Sequence, residues 1–171
     1  MATLAIDKLT FSFADDWRVS KYDDWVFYTK KFQGMCGGGV KGIDILATDT
    51  QRTAWMIEVK DYRQHTRTKV IDIADEVAEK VFDTLAGLLP AQIGSDEPGE
   101  VDFAKLLHRC TRLRVVLHLE QPAKHSTLFP RAINLVNVEQ KLRSLVKPVD
   151  AHAIVCEIQK LNKVSWTVVS T

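Results

Sequence analysis

Cysteine is scarce in this 171-residue chain, and its spacing excludes two classes of small protein. Cys36, Cys110 and Cys156 are an odd number of cysteines, lie far apart and form no Cys-x-x-Cys pair. A disulfide framework needs paired cysteines, and a structural zinc site needs closely spaced ones. We therefore expect free thiols in a reducing compartment, which predicts a cytoplasmic location.

The chain also lacks a charge excess and long apolar runs. Lysine and arginine number 23 against 22 aspartate and glutamate residues, so the formal net charge is +1. A nucleic acid would therefore have to bind a local basic patch rather than a generally basic surface. No apolar run approaches the roughly 20 residues of a membrane span, and the first ten residues do not have the pattern of a secretory leader. We expect a soluble protein that does not bind membranes.

Apolar side chains are abundant enough for one core, since 46% of the residues are hydrophobic. Length and composition predict a single domain over residues 1–171. The alternation of Leu9, Phe11 and Phe13 predicts a strand near the start. Apolar spacing predicts a long amphipathic helix over residues 68–89, which Pro90 should end. Its acidic face is expected to point to solvent and away from any nucleic acid; it carries Asp72, Asp75, Glu76, Glu79 and Asp83.

The other segments complete a mixed pattern of strands and helices. Residues 20–32 fit a strand or a helix, with a helix favoured, and residues 101–110 and 133–146 show helical spacing. Residues 112–121 predict a strand, and residues 151–158 and 164–170 predict a terminal hairpin. This order predicts an α/β fold with a central mixed β-sheet flanked by α-helices.

Residues 41–63 contain two apolar runs that are interrupted by charge. If they form an antiparallel hairpin centred on Gln51, Asp44 lies directly opposite Glu58, and Lys60 points to the same side. Two buried carboxylates so close together need a compensating cation. Mg²⁺ is a hard ion that binds carboxylate oxygens and retains water and phosphate ligands, so the hairpin predicts a Mg²⁺ site, with Mn²⁺ as a substitute.

This arrangement resembles a known family. Asp44, thirteen intervening residues and then Glu58-Val59-Lys60, with Gly-Ile before the first acid and a helix after the motif, resembles the PD-(D/E)xK superfamily of restriction-endonuclease-like nucleases. The resemblance covers about the first half of the chain. It implies a restriction-endonuclease-like fold and metal-dependent phosphodiester hydrolysis, with the chain acting as a DNA endonuclease.

The resemblance also implies roles for individual residues. Asp44 and Glu58 would bind the metal, and Lys60 would assist the nucleophilic water, which makes all three catalytic. An additional acidic ligand would come from Asp23 or Asp24. DNA is the expected partner, although the sequence does not separate DNA from RNA, and a homodimer is compatible with the family.

A basic run after the second strand predicts contacts with the substrate. Lysine, arginine and aromatic side chains suit phosphate and base contacts; the predicted substrate-binding residues are Lys41, Tyr62, Arg63, Arg67 and Lys69. The alternative for this run is a solvated surface loop.

Three alternatives stay open at this point. The hairpin could be partly exposed, with a cross-strand ion pair from Lys60 to Asp44 or Glu58. The fold could also be a catalytically silent nucleic-acid-binding module, or a module whose acidic helix face binds another protein. The five histidines show neither His-x-x-x-His nor His-x-His spacing, so a histidine metal site is not favoured.

Overall fold

The computed structural model describes residues 1–65, 67–122, 128 and 132–170. It contains eight strands and three α-helices within those residues. The strands are β1 (Ala2–Ile6), β2 (Leu9–Phe13), β3 (Arg18–Lys21), β4 (Ile45–Thr48), β5 (Thr53–Asp61), β6 (Arg112–Glu120), β7 (Ile154–Cys156) and β8 (Thr167–Ser170). The helices are α1 (Ile73–Gly94), α2 (Pro98–His108) and α3 (Leu135–Leu145).

The strands form two sheets. The large sheet has the order β3-β4-β5-β6-β7. The pairs β3–β4 and β4–β5 are antiparallel, and the pairs β5–β6 and β6–β7 are parallel. The small sheet has the order β1-β2-β8 and is antiparallel. The predicted α/β fold with a mixed sheet flanked by helices is confirmed. The finer restriction-endonuclease-like topology is not confirmed.

Two apolar cores lie on opposite faces of the large sheet. On β5, Ala54 and Met56 pack towards the helices, whereas Trp55, Ile57 and Val59 pack towards the small sheet. This division follows from the period of two along a strand, which sends alternate side chains to opposite faces. Glu58 and Lys60 have the same parity as Met56, so they face the helices.

The helix that follows β5 begins and ends later than predicted. Asp72 caps its first turn, since its side chain accepts a hydrogen bond from Ala74 N at 2.8 Å. The helix continues through Pro90 to Gly94, so the predicted stop at Pro90 is wrong. Proline removes one N–H donor from a helix, and here the buried Leu88 and Ala91 hold the flanking turns against the core.

The predicted terminal hairpin is also wrong. β7 lies parallel to β6 at the edge of the large sheet, and β8 pairs antiparallel with β2 in the small sheet. Strand propensity correctly predicts a strand in each segment, but it does not determine which strand each one pairs with. Each of the two strands extends a different sheet.

The segment of residues 20–32 combines several short elements. The end of β3 is followed by a 3₁₀ turn at Tyr22–Asp24 and a π-helical turn at Tyr28–Phe32. The predicted helix is therefore confirmed in the second half of this segment.

All three cysteines are free, and burial raises the pKa of the Cys156 thiol to about 12, so this thiol is unreactive near neutral pH. No helix in the described part of the chain is long and apolar enough to cross a membrane.

Candidate functional site

The β4–β5 hairpin has the predicted register. Ile45 pairs with Ile57, and Leu46 pairs with Met56, so the register places Asp44 opposite Glu58 one position further along. The Asp44 carboxylate turns towards β5, where its Oδ2 accepts a hydrogen bond from Val59 N at 2.7 Å. The two acids therefore lie side by side at the end of the hairpin that is remote from the turn.

Glu58 is completely buried and is held by lysines. Its Oε1 lies 2.6 Å from Lys60 Nζ, on the same strand and face. A second ammonium, Lys80 Nζ on α1, lies 2.6 Å from the same Oε1 and 3.4 Å from Asp44 Oδ1. Lys80 thus sits between the two carboxylates, at the position where a shared cation was predicted.

Lys80 was not identified from the sequence. It follows Val77 by three positions and precedes Val81, so it lies beside the buried stripe of α1. This position beside the stripe was the only indication in the sequence. The apolar pattern of a helix does not predict which of the lysines beside its buried stripe points inward.

Glu76 was predicted on the solvent face of α1, and this prediction is wrong. Its side chain is fully buried, with Lys60 Nζ 3.3 Å from Oε1 and Arg67 Nη2 2.8 Å from Oε2. Lys69 also binds Oε1. Burial of this carboxylate is possible because three cations surround it, and buried charges persist in proteins when they are paired and hydrogen-bonded.

The two buried glutamates have pKa values displaced in opposite directions. Burial and the nearby Asp44 charge raise the pKa of Glu58 to about 7, against the opposing effect of Lys80 and Lys60. Burial alone would also raise the pKa of Glu76, but the hydrogen bond from Lys69 and the charge of Lys60 outweigh it and lower that pKa. Glu58 Oε2 is buried and has no hydrogen-bond partner within the described residues. The raised pKa therefore brings the titration of Glu58 close to neutral pH, whereas the lowered pKa of Glu76 keeps that carboxylate charged there.

An open cleft of about 400 Å³ lies beside Asp44 and Lys60. We call it the carboxylate cleft; its lining includes Lys21, Asp23, Asp44, Lys60, Asp61, Tyr62, His65, Arg67 and Lys69. Its charges are mixed, since acids and cations line the same opening. The cleft thus combines carboxylates that can bind a cation with ammonium and guanidinium groups that can bind an anion.

The two candidates for an upstream acid occupy different positions. Asp23 lines the carboxylate cleft, and burial raises its pKa. Its Oδ1 is buried without a hydrogen-bond partner among the described residues. Asp24 is exposed and pairs with Lys21 at 3.2 Å. Of the two, the structure brings Asp23 to the cleft.

The predicted substrate-binding residues separate into two groups. Tyr62, Arg67 and Lys69 line the carboxylate cleft. Lys41 forms an ion pair with Glu79 at 2.6 Å and lines a neighbouring cleft. Arg63 lies two residues beyond the end of β5 and binds Asp61 at 2.6 Å. Their contact with a ligand stays a prediction.

A complete set of metal ligands does not converge within the described residues, since no group of three or more histidine, cysteine, aspartate and glutamate side chains is placed to hold an ion. Asp44 and Glu58 are adjacent, but Lys80 lies between them. Binding of Mg²⁺ or Mn²⁺ at this pair stays a prediction.

Comparison with known proteins finds a relative of this chain. A cysteine–tRNA ligase of Neisseria meningitidis serogroup A is 33% identical over an alignment that covers 81% of this chain and 24% of the relative. The chain therefore spans about a quarter of the length of the curated relative that it matches. No protein-family model and no solved structure matches the chain.

This match corrects the assignment made from the sequence motif. The relative is a tRNA ligase, so the assignment to the PD-(D/E)xK nucleases is wrong, as are the predicted phosphodiester hydrolysis and the predicted Mg-dependent endonuclease. The positions of the two acids and the lysine predicted the hairpin register correctly. The same arrangement also forms a buried network of ion pairs, so it does not by itself indicate a nuclease. Of the predictions made from the sequence, the non-cutting module on an α/β fold agrees better with the match.

Proposed function

We propose that the chain is an RNA-binding module related to part of a cysteine–tRNA ligase, and that tRNA is its ligand. The match to a ligase that acts on tRNA carries this proposal. Because the chain spans about a quarter of that relative, we assign it a binding role and not the complete ligase reaction. DNA, the partner expected from the motif, finds no support in the match.

The carboxylate cleft is the surface that we propose for RNA contact. The side chain of Lys69 is 58% exposed, which is more than that of Lys21, Lys60 or Arg67. Lys21 and Arg67 line the same opening. Cations of this kind bind phosphate oxygens and supply most of the sequence-independent affinity for nucleic acids. Tyr62 lines the cleft and supplies an aromatic side chain beside these cations.

We further propose that Mg²⁺, or Mn²⁺ in its place, binds at the Asp44–Glu58 pair beside the cleft. Asp44 and Glu58 would be its protein ligands, and Glu58 Oε2, which is buried without a hydrogen-bond partner among the described residues, is the oxygen that supports this assignment. Mg²⁺ in proteins is commonly held by one or two carboxylates together with water and phosphate oxygens. Lys80 competes with the ion, since its ammonium contacts both carboxylates.

Binding to tRNA specific for cysteine tests the RNA proposal directly. Fluorescence anisotropy with labelled tRNA should give saturable binding, whereas a DNA stem-loop of equal length should bind more weakly. Lys69→Ala should weaken tRNA binding several-fold because it removes one exposed cation, while Arg67 and Lys60 still neutralise Glu76.

Lys105→Ala is the matched control. Lys105 is a half-exposed lysine on α2 that does not line the carboxylate cleft, so its loss should leave the affinity for tRNA unchanged. Equal losses in Lys69→Ala and Lys105→Ala, or the absence of tRNA binding by the wild-type chain, would contradict the proposal.

A further inference from the structure

We propose a second ligand site, specific for a phosphate group, at the end of the large sheet opposite the carboxylate cleft. A cleft of about 380 Å³ lies there, and we call it the tryptophan cleft; Trp17, Asp49, Thr53, Trp55, Arg112 and Arg114 are among the residues that line it. Its volume is in the range of small-molecule sites. The site does not depend on the proposed binding of RNA to the carboxylate cleft.

The two clefts are separated by the length of β5. Thr53 begins that strand and Asp61 ends it, which corresponds to about 26 Å at the usual rise per residue. In the parallel pairing of β5 with β6, Thr53 lies beside Arg112, and Trp55 lies beside Arg114. Because residues two apart share a face of a strand, these four side chains lie together on one face of the sheet.

The charge of the tryptophan cleft favours an anion. Arg112 is exposed, and within the described residues its side chain has neither a hydrogen bond nor an ion pair. Arg114 lies over the Trp55 ring at 5.9 Å, and its contact with Asp150 is long, at 3.4 Å. Two guanidinium groups at one opening form the planar donor arrangement that binds phosphate oxygens in pairs.

Asp49, the carboxylate of this cleft, is already satisfied by the protein. Its Oδ1 accepts hydrogen bonds from Gln51 N and Thr53 N, each at 2.9 Å. Its Oδ2 accepts one from Trp55 Nε1 at 3.0 Å. Three N–H donors therefore stabilise the negative charge of Asp49, so Asp49 does not occupy either arginine, although Arg114 keeps its 3.4 Å contact with Asp150.

A buried hydroxyl group independently indicates a ligand. Thr53 is 1% exposed, lines the tryptophan cleft, and its Oγ1 has no hydrogen-bond partner within the described part of the chain. Buried polar atoms are nearly always hydrogen-bonded in folded proteins. A phosphate oxygen held by Arg112 and Arg114 would accept the hydrogen bond that this hydroxyl group lacks.

The phosphate could belong to a free nucleotide or to an RNA chain, and the test separates these sources. Three of the four tryptophans, Trp17, Trp55 and Trp166, form one cluster at this end, whereas Trp25 lies in the core on the helix side. Intrinsic tryptophan fluorescence should therefore change when a phosphate binds here. The full chain is titrated with inorganic phosphate, with cytidine monophosphate and with tRNA, and calorimetry checks each binding constant.

Variants at the two edges of the cleft define the expected result. Arg112→Ala should weaken phosphate binding about ten-fold without loss of stability, since this side chain makes no hydrogen bond or ion pair with the described residues. Thr53→Val keeps the shape of the side chain and removes the hydroxyl group, so it should weaken binding several-fold. Lys30→Ala removes one positive charge from an exposed lysine outside this cleft and should have no effect.

Each outcome decides the proposal. A fluorescence response to phosphate or the nucleotide that Arg112→Ala weakens supports a free phosphate ligand, and a response to tRNA alone with the same sensitivity supports an RNA phosphate. The site is refuted if none of the three ligands changes the fluorescence, or if Arg112→Ala and Lys30→Ala respond equally. Because Lys69 lies in the other cleft, Lys69→Ala should leave the responses to phosphate and to the nucleotide unchanged, and equal losses of these responses in Lys69→Ala and Arg112→Ala would refute this site.

Discussion

Glu58 and Glu76 are both completely buried and lie on either side of one ion network, yet they differ in charge behaviour. Glu76 is surrounded by Lys60, Arg67 and Lys69. Glu58 shares the Lys80 ammonium with Asp44 and keeps one oxygen without a hydrogen bond in the described structure. Burial raises the pKa of both carboxylates, and the surrounding charges separate them: Asp44 adds to the effect of burial at Glu58, whereas Lys69 and Lys60 outweigh it at Glu76.

The largest expected effect comes from removing the carboxylate of Glu76. Glu76→Gln leaves three cations around a neutral amide, and breaking a buried ion pair on one side costs about 3–5 kcal/mol. Glu58→Gln should cost much less at pH 7, because the raised pKa already leaves Glu58 partly protonated there. Urea unfolding of both variants measures the difference. Equal losses of unfolding free energy would show that the two sites do not differ.

The second effect is a dependence of stability on pH. The pKa of Glu58 in the folded chain, about 7, lies above the ordinary glutamate value of 4.5, so the folded state binds this proton more tightly than the unfolded chain. The stabilisation from this proton is complete below about pH 4.5 and is lost as the pH rises towards 7. Glu76, whose pKa is lowered, contributes in the opposite sense, since its stabilisation is lost as the pH falls.

Unfolding free energies measured between pH 4 and 8 on wild type and Glu58→Gln test this assignment. The difference between the two proteins should change between about pH 4.5 and 7 and should be constant above that window. A difference that is independent of pH would mean that Glu58 does not titrate in this range.

The smallest expected effect is the stabilisation by Mn²⁺ once the Lys80 ammonium no longer competes with the ion for Asp44 and Glu58. Lys80→Ala leaves Asp44 and Glu58 without their shared ammonium, so Mn²⁺ should stabilise this variant more than the wild type. An ion at ten times its dissociation constant adds about 1.4 kcal/mol to the unfolding free energy. Thermal melting with and without Mn²⁺ measures this gain, and Asp44→Asn in the Lys80→Ala background should abolish it. A gain that survives Asp44→Asn would place the ion elsewhere.

The hairpin could be predicted from the sequence because local rules determine it. A turn at Gln51 and the alternation of apolar residues were sufficient to place Asp44 opposite Glu58, and Lys60 follows from the period of two. A positive charge was predicted between the acids, and the structure places the Lys80 ammonium there. Binding of Mg²⁺ at the same pair stays a prediction.

The remaining features depend on contacts between distant segments. The rotation of α1 decides whether Glu76 faces solvent or the network, and it is set by how the helix packs on the large sheet. The partners of β7 and β8 are chosen by two different sheets, which hairpin propensity does not distinguish. The biochemical activity was the feature that the sequence predicted least well. A cluster of acids and a lysine is compatible with catalysis, with binding of an ion and with ion pairs that only stabilise the fold.

The most direct test of RNA binding at the carboxylate cleft is the salt dependence of tRNA binding by wild type and Lys69→Ala. If the carboxylate cleft binds the RNA backbone, the logarithm of the association constant should fall linearly with the logarithm of salt concentration, and Lys69→Ala should make that slope shallower by about one. Lys105→Ala should keep the wild-type slope. Identical slopes for all three proteins would contradict RNA binding at this cleft.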